Sequence, residues 1–171
     1  MIFAVLFACF GSASEEVVDV PQPARPDVVL VTMDTTRADR LGCYGYEKSD
    51  MPTLDKLCEA GRRYDRAYSP APLTIPSHAA MFTGIHPARL GIRDNGDGKL
   101  EQDALTLAEI LRGEGYQTAA SVTAFVTTRV WGFDQGFDAY FDTIKRDSTD
   151  SVWQTERRGG EALDDLLHWA R

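Results

Sequence analysis

Several things are scarce in this chain, and each scarcity removes a class of function. The apolar opening, Met1 to Ser14, falls short of the roughly 20 residues that a membrane-spanning helix needs. No block of basic residues occurs, and 18 Lys and Arg stand against 26 Asp and Glu for a formal charge of -8, which argues against a nucleic-acid-binding surface. Cysteine is limited to three residues, and neither Cys43 nor Cys58 has a second thiol or a histidine at zinc-ligand spacing. Those two form a disulfide if the compartment is oxidising; buried, packed thiols are the favoured expectation, since free Cys is among the most buried residue types. No internal repeat or long low-complexity segment is present.

What remains is the composition of a globular domain of ordinary size, 43% hydrophobic and 26% charged over 171 residues. Residues 1–14 run from apolar to small and read as a short export signal, although the usual positive n-region is reduced to the α-amino group. Leu6-Phe7-Ala8-Cys9 also fits a bacterial lipoprotein cleavage box, which would make Cys9 a lipidated N-terminus and the protein exported, periplasmic or membrane-anchored; the competing reading leaves Cys9 in an apolar run. Residues 15–26 are acidic and proline-bearing, as a linker would be, and residues 27–171 form the body.

In the body, Asp27 to Met33 reads as a buried parallel strand and Pro52 to Ala60 as a helix, with Leu54, Leu57 and Cys58 on one face and Gly61 as its stop. Arg62 to Tyr68 alternates as a strand or extended segment, and Ser69-Pro70-Ala71-Pro72 breaks regular structure. A helix then starts near Thr74, with Pro76 suited to its first turn, and closes at Thr83-Gly84. Ile85 to Gly98 reads as a loop, Thr106 to Gly115 as an amphipathic helix and Tyr116 to Val122 as a strand, a crossover pattern typical of a parallel sheet. Gly132 to Asp138 is an aromatic loop, and Trp131, Phe133 and Phe137 are expected to serve the core. Glu156 to Trp169 reads as a last helix with Leu163, Leu166, Leu167 and Trp169 toward the core.

Two segments carry the chemistry. The run Val28-Val29-Leu30-Val31-Thr32-Met33 ends on Asp34, placing a carboxylate at the C-terminal end of a strand, where open α/β sheets put ligands. Pro72-Leu73-Thr74-Ile75-Pro76-Ser77-His78 places a hydroxyl at the mouth of a helix, where backbone N–H groups and the dipole favour an anionic substrate. Asp34 reads as a ligand for a hard metal, against a turn or cap carboxylate; Thr74 as a nucleophile, against a helix cap. His78 lies one turn after Thr74 and either bonds the nucleophile or substrate oxygen or is satisfied by backbone. Thr35 is a neutral ligand or a packing residue. Arg37 and Asp39 read as a surface pair, and His86 as a loop residue.

The segment Asp34-Thr35-Thr36-Arg37-Ala38-Asp39-Arg40-Leu41-Gly42-Cys43-Tyr44-Gly45 resembles the first metal-binding segment of the sulfatase family and the Leu-Gly-Cys-Tyr-Gly signature after it. Pro52-Thr53-Leu54-Asp55 resembles the family's Pro-x-Leu-Asp helix start, and Thr74 to Gly84 its nucleophile segment. Several segments in the right order make the resemblance specific to the N-terminal part of a domain in the alkaline-phosphatase-like superfamily. It implies an α/β fold, a partial alkaline-phosphatase-like sandwich with a mostly parallel sheet flanked by helices, truncated here.

The resemblance also implies site roles: Asp34, Thr35 and Thr74 toward a divalent metal (Ca, Mg, Mn or Zn), Thr74 and His78 as catalytic residues, and Asn95 near the substrate, where the family pattern has an Arg-x-Asn loop. A turn asparagine before glycine is the competing reading for Asn95. Two departures stand out. Threonine replaces the Cys or Ser that becomes formylglycine, so that cofactor is not expected, and Thr74 would act directly as an alkoxide, as threonine does in related phosphodiesterases and phosphoethanolamine transferases. The family's tandem Asp-Asp has become Asp34-Thr35, which removes one carboxylate.

The function implied is metal-dependent hydrolysis of a sulfate or phosphate ester of a small molecule, glycan or lipid, in an N-terminal fragment that folds poorly alone. The alternative is a non-catalytic sulfatase-like pseudoenzyme or binding module; a phosphoethanolamine-type transferase would usually carry membrane helices ahead of its domain.

Overall fold

The computed structural model describes residues 25–145, 151 and 155–171. The signal reading of residues 1–14, Cys9 included, and residues 15–24 of the linker lie outside these. The chain divides into two compact units, Met1–Met33 and Asp34–Arg171.

In the first unit the described residues run without regular secondary structure, and this corrects the expectation of a buried strand over Asp27 to Met33. Val28, Val29, Leu30 and Val31 are all exposed, Val29 to 82%. The physical reason is that a strand exists only in a ladder. β-branched, apolar sequence favours extended backbone but supplies no partner, and the sheet among the described residues holds only two other strands. Asp34 accordingly lies in a turn, not at a strand end.

The second unit opens with two 3₁₀ turns, Ala38–Arg40 and Gly42–Tyr44, followed by helix α1, Pro52–Ala60. Proline at its start and the Gly61 N–H on the Leu57 carbonyl bound α1 as expected. Its inward face is Leu54, Asp55 and Cys58, whereas Leu57 is exposed. Cys43 and Cys58 form a disulfide with Cα atoms 6.2 Å apart, which replaces the expected packed thiols; both side chains are only half-buried, so the core offers them no thiol niche. Residues 62–68 form an exposed turn-containing segment, not a strand.

Helix α2, Thr74–Thr83, ends on Gly84 in the left-handed conformation. The expected loop after it contains a short helix, α3, Pro87–Leu90, whose N-terminus is capped by His86 Nδ1 accepting from the Ala88 N–H at 3.3 Å. Helix α4, Leu107–Gly113, begins with a reciprocal capping box between Thr106 and Glu109. Strands β1, Ala119–Ser121, and β2, Ala139–Phe141, pair in parallel with Ala119 opposite Ala139. A parallel sheet is as expected, but β1 is shorter than the expected 116–122 strand and its partner is β2, for which the sequence reading named no strand. Helix α4 precedes the pair, and the link between the strands holds two 3₁₀ turns, Phe125–Thr127 and Arg129–Trp131, and the aromatic loop.

The last helix, α5, Gly159–Trp169, starts later than expected and turns a different face inward. Ala162 is buried and Asp165 and Leu166 half-buried, while Leu163, Leu167 and Trp169 are exposed. Arg157 decides this orientation: its guanidinium holds the Val122 and Phe141 carbonyls and Ser121 Oγ at the strand ends and reaches Asp165 Oδ2 at 2.6 Å, drawing that carboxylate inward.

One core organises this unit. Ile75 and Ala79 of α2 pack with Ile92, Leu100, Ala104 and Phe133, and Phe82, Leu90, Val126, Trp131 and Tyr140 lie against them. Phe133 is 2% exposed, and the Phe82 ring meets it edge-on at 5.7 Å and meets Phe137 at 6.5 Å. Trp131 and Phe137 therefore serve packing, as expected. The consequence for function is that α2 is seated from its first turn, which fixes where Thr74 can be.

Candidate functional site

Thr74 is the first residue of α2, only 8% exposed, and its hydroxyl donates to Asp34 Oδ2 at 2.8 Å. This hydroxyl is not a helix cap: the cap position is Leu73, and no side-chain bond closes it. The other carboxylate oxygen, Asp34 Oδ1, accepts the Thr35 N–H at 2.9 Å, and the Thr36 hydroxyl donates to the Asp34 carbonyl. Both oxygens of Asp34 are thus engaged, one on the turn and one on Thr74.

The turn that aims Asp34 is strained. Thr35 has φ +56°, the one described non-glycine residue in the left-handed region. For a β-branched side chain this conformation is a true outlier, and it persists only where neighbours enforce it. The sequence singled out Thr35 as a ligand candidate; that its backbone sets the carboxylate's direction had no sequence signal.

His78 is buried, 5% exposed, with Nδ1 2.9 Å from the Thr74 carbonyl. A carbonyl can only accept, so Nδ1 carries the proton. The ring lies edge-on to Phe82 and Phe133, with centroids at 6.0 and 6.3 Å. His78 therefore grips the backbone of Thr74. Asn95 sits in the Asp94–Asp97 turn beside Gly96, and its Oδ1 accepts the Ile75 N–H at 2.9 Å. That bond joins the turn to the residue following Thr74 and was not foreseen, because a backbone donor leaves no trace in residue identity.

The donors that Asp34, Thr35 and Thr74 can bring are all oxygens, the set that a hard divalent cation takes. Asp34 is the single carboxylate among the three, and among the described residues no group of three or more His, Cys, Asp or Glu side chains is placed to hold a metal. A hard cation bound at this segment would have Asp34 as its one charged ligand there.

Around this centre the remaining charges behave as structure. Arg37 and Asp39 pair at 2.7 Å on the surface, and the Arg37 hydrogen bond holds the Asp39 carboxyl below its ordinary value. Asp138 is likewise held low, chiefly by the Thr118 backbone N–H.

Comparisons with known proteins place the chain in a family. The family model described as Sulfatase matches residues 26–169. Human arylsulfatase A is 38% identical over 98 residues, which cover 54% of this chain and 19% of that protein. Steryl-sulfatase of Mus musculus is 35% identical over 109 residues, with 58% and 18% covered. N-acetylglucosamine-6-O-sulfatase of Bacteroides thetaiotaomicron is 29% identical over 110 residues, with 64% and 20% covered. A crystal structure assigned to a sulfatase of Bacteroides thetaiotaomicron VPI-5482 superposes with a TM-score of 0.53 at 23% identity, covering 65% of this chain and 24% of that one, which supports the alkaline-phosphatase-like fold. The chain spans about a fifth of the length of the curated relatives it matches. With a single family model matching nearly all of the chain from Pro26 to Trp169, it belongs to the sulfatase family.

Proposed function

We propose that this chain carries the nucleophile segment of a metal-dependent ester hydrolase acting on sulfate or phosphate esters, with Thr74 as the attacking group. The observation that carries the reading is the 2.8 Å bond from the Thr74 hydroxyl to Asp34, between residues 40 apart in the sequence. A hydroxyl is a weak nucleophile until something takes its proton, and Asp34 Oδ2 is already placed to receive it.

In the step proposed, Thr74 Oγ1 bonds to the sulfur or phosphorus as its proton passes to Asp34, and the bond from that atom to the ester oxygen breaks. The ester oxygen leaves with the electron pair and takes a proton from water to become the alcohol. Water then attacks the same sulfur or phosphorus, the bond to Thr74 Oγ1 breaks to release the sulfate or phosphate product, and Asp34 returns its proton to Oγ1, so that the hydroxyl and the carboxylate are both regenerated. A divalent cation held by Asp34, Thr35 and Thr74 would lower the hydroxyl pKa and offset the charge of the ester oxygens. The all-oxygen donor set favours Ca or Mg over Zn. His78 keeps Thr74 in register through the Thr74 carbonyl. Formylglycine has no place in this chemistry, since the residue at that position is read as threonine.

The names of the relatives span aryl, steryl and amino-sugar sulfates, so small-molecule, lipid and glycan esters are all substrate candidates. Export, with lipidation at Cys9 as an anchor, is proposed from the apolar opening and its Leu-Phe-Ala-Cys box. Loss of fatty-acid labelling in Cys9→Ala would support the anchor.

The deciding experiment assays the full-length gene product on an aryl sulfate, a phosphate monoester and a phosphate diester, with and without divalent cation, beside Thr74→Ala. Cation-dependent turnover lost in Thr74→Ala supports the reading, and the substrate ranking names the ester. Absence of turnover on all three with cation bound would favour a non-catalytic binding module.

A further inference from the structure

We propose that Asn95 is a positioning residue for the nucleophile, acting through the Ile75 amide; this rests on the reading of Thr74 given above. The first turn of any helix has N–H groups without intrahelical partners, and a side chain at the cap usually takes one of them. Here the cap is Leu73, which has no acceptor, and Pro76 has no N–H to offer. The Ile75 N–H is served instead from outside the helix by Asn95 Oδ1 at 2.9 Å, 20 residues further along the chain.

The orientation of this amide is fixed by chemistry. Ile75 N–H can only donate, so the atom facing it is the oxygen of Asn95. Asn95 is itself held: its own N–H donates to Asp94 Oδ1 at 2.7 Å, and the turn closes with Gly96 at φ +93°. Next to it, Ile92 is buried in the same core as Ile75. The segment that carries the turn and the helix start are thereby tied at two points, one apolar and one polar, both at Ile75, the residue after Thr74. Thr74 is covalently adjacent to the latched residue, so a loosened Ile75 amide frees the Thr74 hydroxyl to leave Asp34.

Two variants test this. Asn95→Ala removes the acceptor, whereas Asn95→Asp keeps an oxygen facing Ile75. Amide hydrogen exchange at Ile75 in the full-length protein should quicken by at least about 5-fold in Asn95→Ala and return toward wild type in Asn95→Asp, as loss of one net hydrogen bond requires. Turnover of whichever ester the wild type cleaves should fall about 10- to 100-fold in kcat for Asn95→Ala, with KM changed less than about 3-fold, the pattern of a misaligned nucleophile. Unchanged exchange at Ile75, or faster exchange with kcat intact, would overturn the proposal. A rise in KM at constant kcat would also overturn it and return Asn95 to substrate contact. Turnover that survives Thr74→Ala would instead sink the nucleophile reading, while the exchange measurement would still report whether the latch exists.

Discussion

The Thr74 hydroxyl and the Asp34 carboxylate meet at 2.8 Å although 40 residues separate them, and the Thr74 end of the pair is nearly inaccessible to solvent. Asp34 is itself exposed, and at 2.8 Å the bond to it has the length of an ordinary O–H···O hydrogen bond. Both residues stand at the start of an element's constraint: Asp34 in a strained turn, Thr74 at the seated end of α2. The pair is therefore preorganised by the fold.

Removing that hydroxyl gives the first prediction. In the full-length protein, Thr74→Ala should lower kcat by at least about 10³-fold, whereas Thr74→Ser, which keeps the oxygen, should retain measurable turnover. Asp34→Asn should reduce both kcat and the response to added cation. Steady-state kinetics on the best ester checks all three. Thermal unfolding should separate lost chemistry from lost fold, since Thr74→Ser changes a single methyl group.

Thr35 supplies the second. A β-branched residue at φ +56° costs of order 1–3 kcal/mol, and glycine has no such penalty but loses more chain entropy on folding, by roughly 0.5–1 kcal/mol. Thr35→Gly should thus leave stability unchanged or raise it by about 1 kcal/mol, measured by denaturant unfolding. If the Thr35 side chain also contributes to cation binding, the same variant will need more cation for half-maximal activity. A stabilised protein with an unchanged cation requirement would restrict Thr35 to a backbone role.

Much of this arrangement was legible in the sequence, for reasons that separate local from non-local information. Helices α1, α2 and α4 carry their own boundaries in Pro52, Gly61, Thr74-x-Pro76, Gly84 and the Thr106–Glu109 box. The Asp34 and Thr74 segments were recognisable because each keeps a local residue pattern. Of the features that were not legible, three show why. The Asp27 to Met33 strand failed because pairing is a property of partners, not of apolar residues alone. The inward face of α5 was misread because Arg157, outside the helix, recruits Asp165. The Asn95 latch uses a backbone donor, which any residue at position 75 other than proline would supply.

The aromatic loop yields a third prediction. At Gly136, φ is +82° and an added Cβ would lie 2.3 Å from the Glu109 backbone nitrogen; at Gly132, φ is +78° and the Cβ would meet the Leu100 carbonyl oxygen at 2.2 Å. Both positions combine a left-handed backbone with rigid backbone neighbours, so neither strain can be relieved by rotating a side chain. Gly136→Ala should destabilise by more than about 2 kcal/mol, and Phe133→Ala, which empties the core beneath α2, by about 3–5 kcal/mol. Both should also release the first turn of α2, seen as faster exchange of the Ser77 amide, whose bond to the Leu73 carbonyl closes that turn.

Acid provides the fourth. Asp138 has its folded pKa below the ordinary 3.8, first because the Thr118 N–H bonds it and then because Arg112 is near. Asp142 has its pKa lowered despite burial, which acts the other way, because Arg129 bonds it through both its backbone N–H and its guanidinium. A carboxylate with a depressed folded pKa contributes stability that is complete above its unfolded value and is lost as pH falls through the folded one. Unfolding free energy should therefore be flat with respect to these two groups above about pH 5 and decline below about pH 4. Asp138→Asn and Asp142→Asn should each flatten that acid decline while lowering stability at neutral pH. The larger loss belongs at Asp142, whose side chain is only 12% exposed and whose replacement leaves the Arg129 guanidinium without its carboxylate. Equal acid slopes in wild type and both variants would show that the carboxylates governing acid unfolding lie elsewhere in the chain.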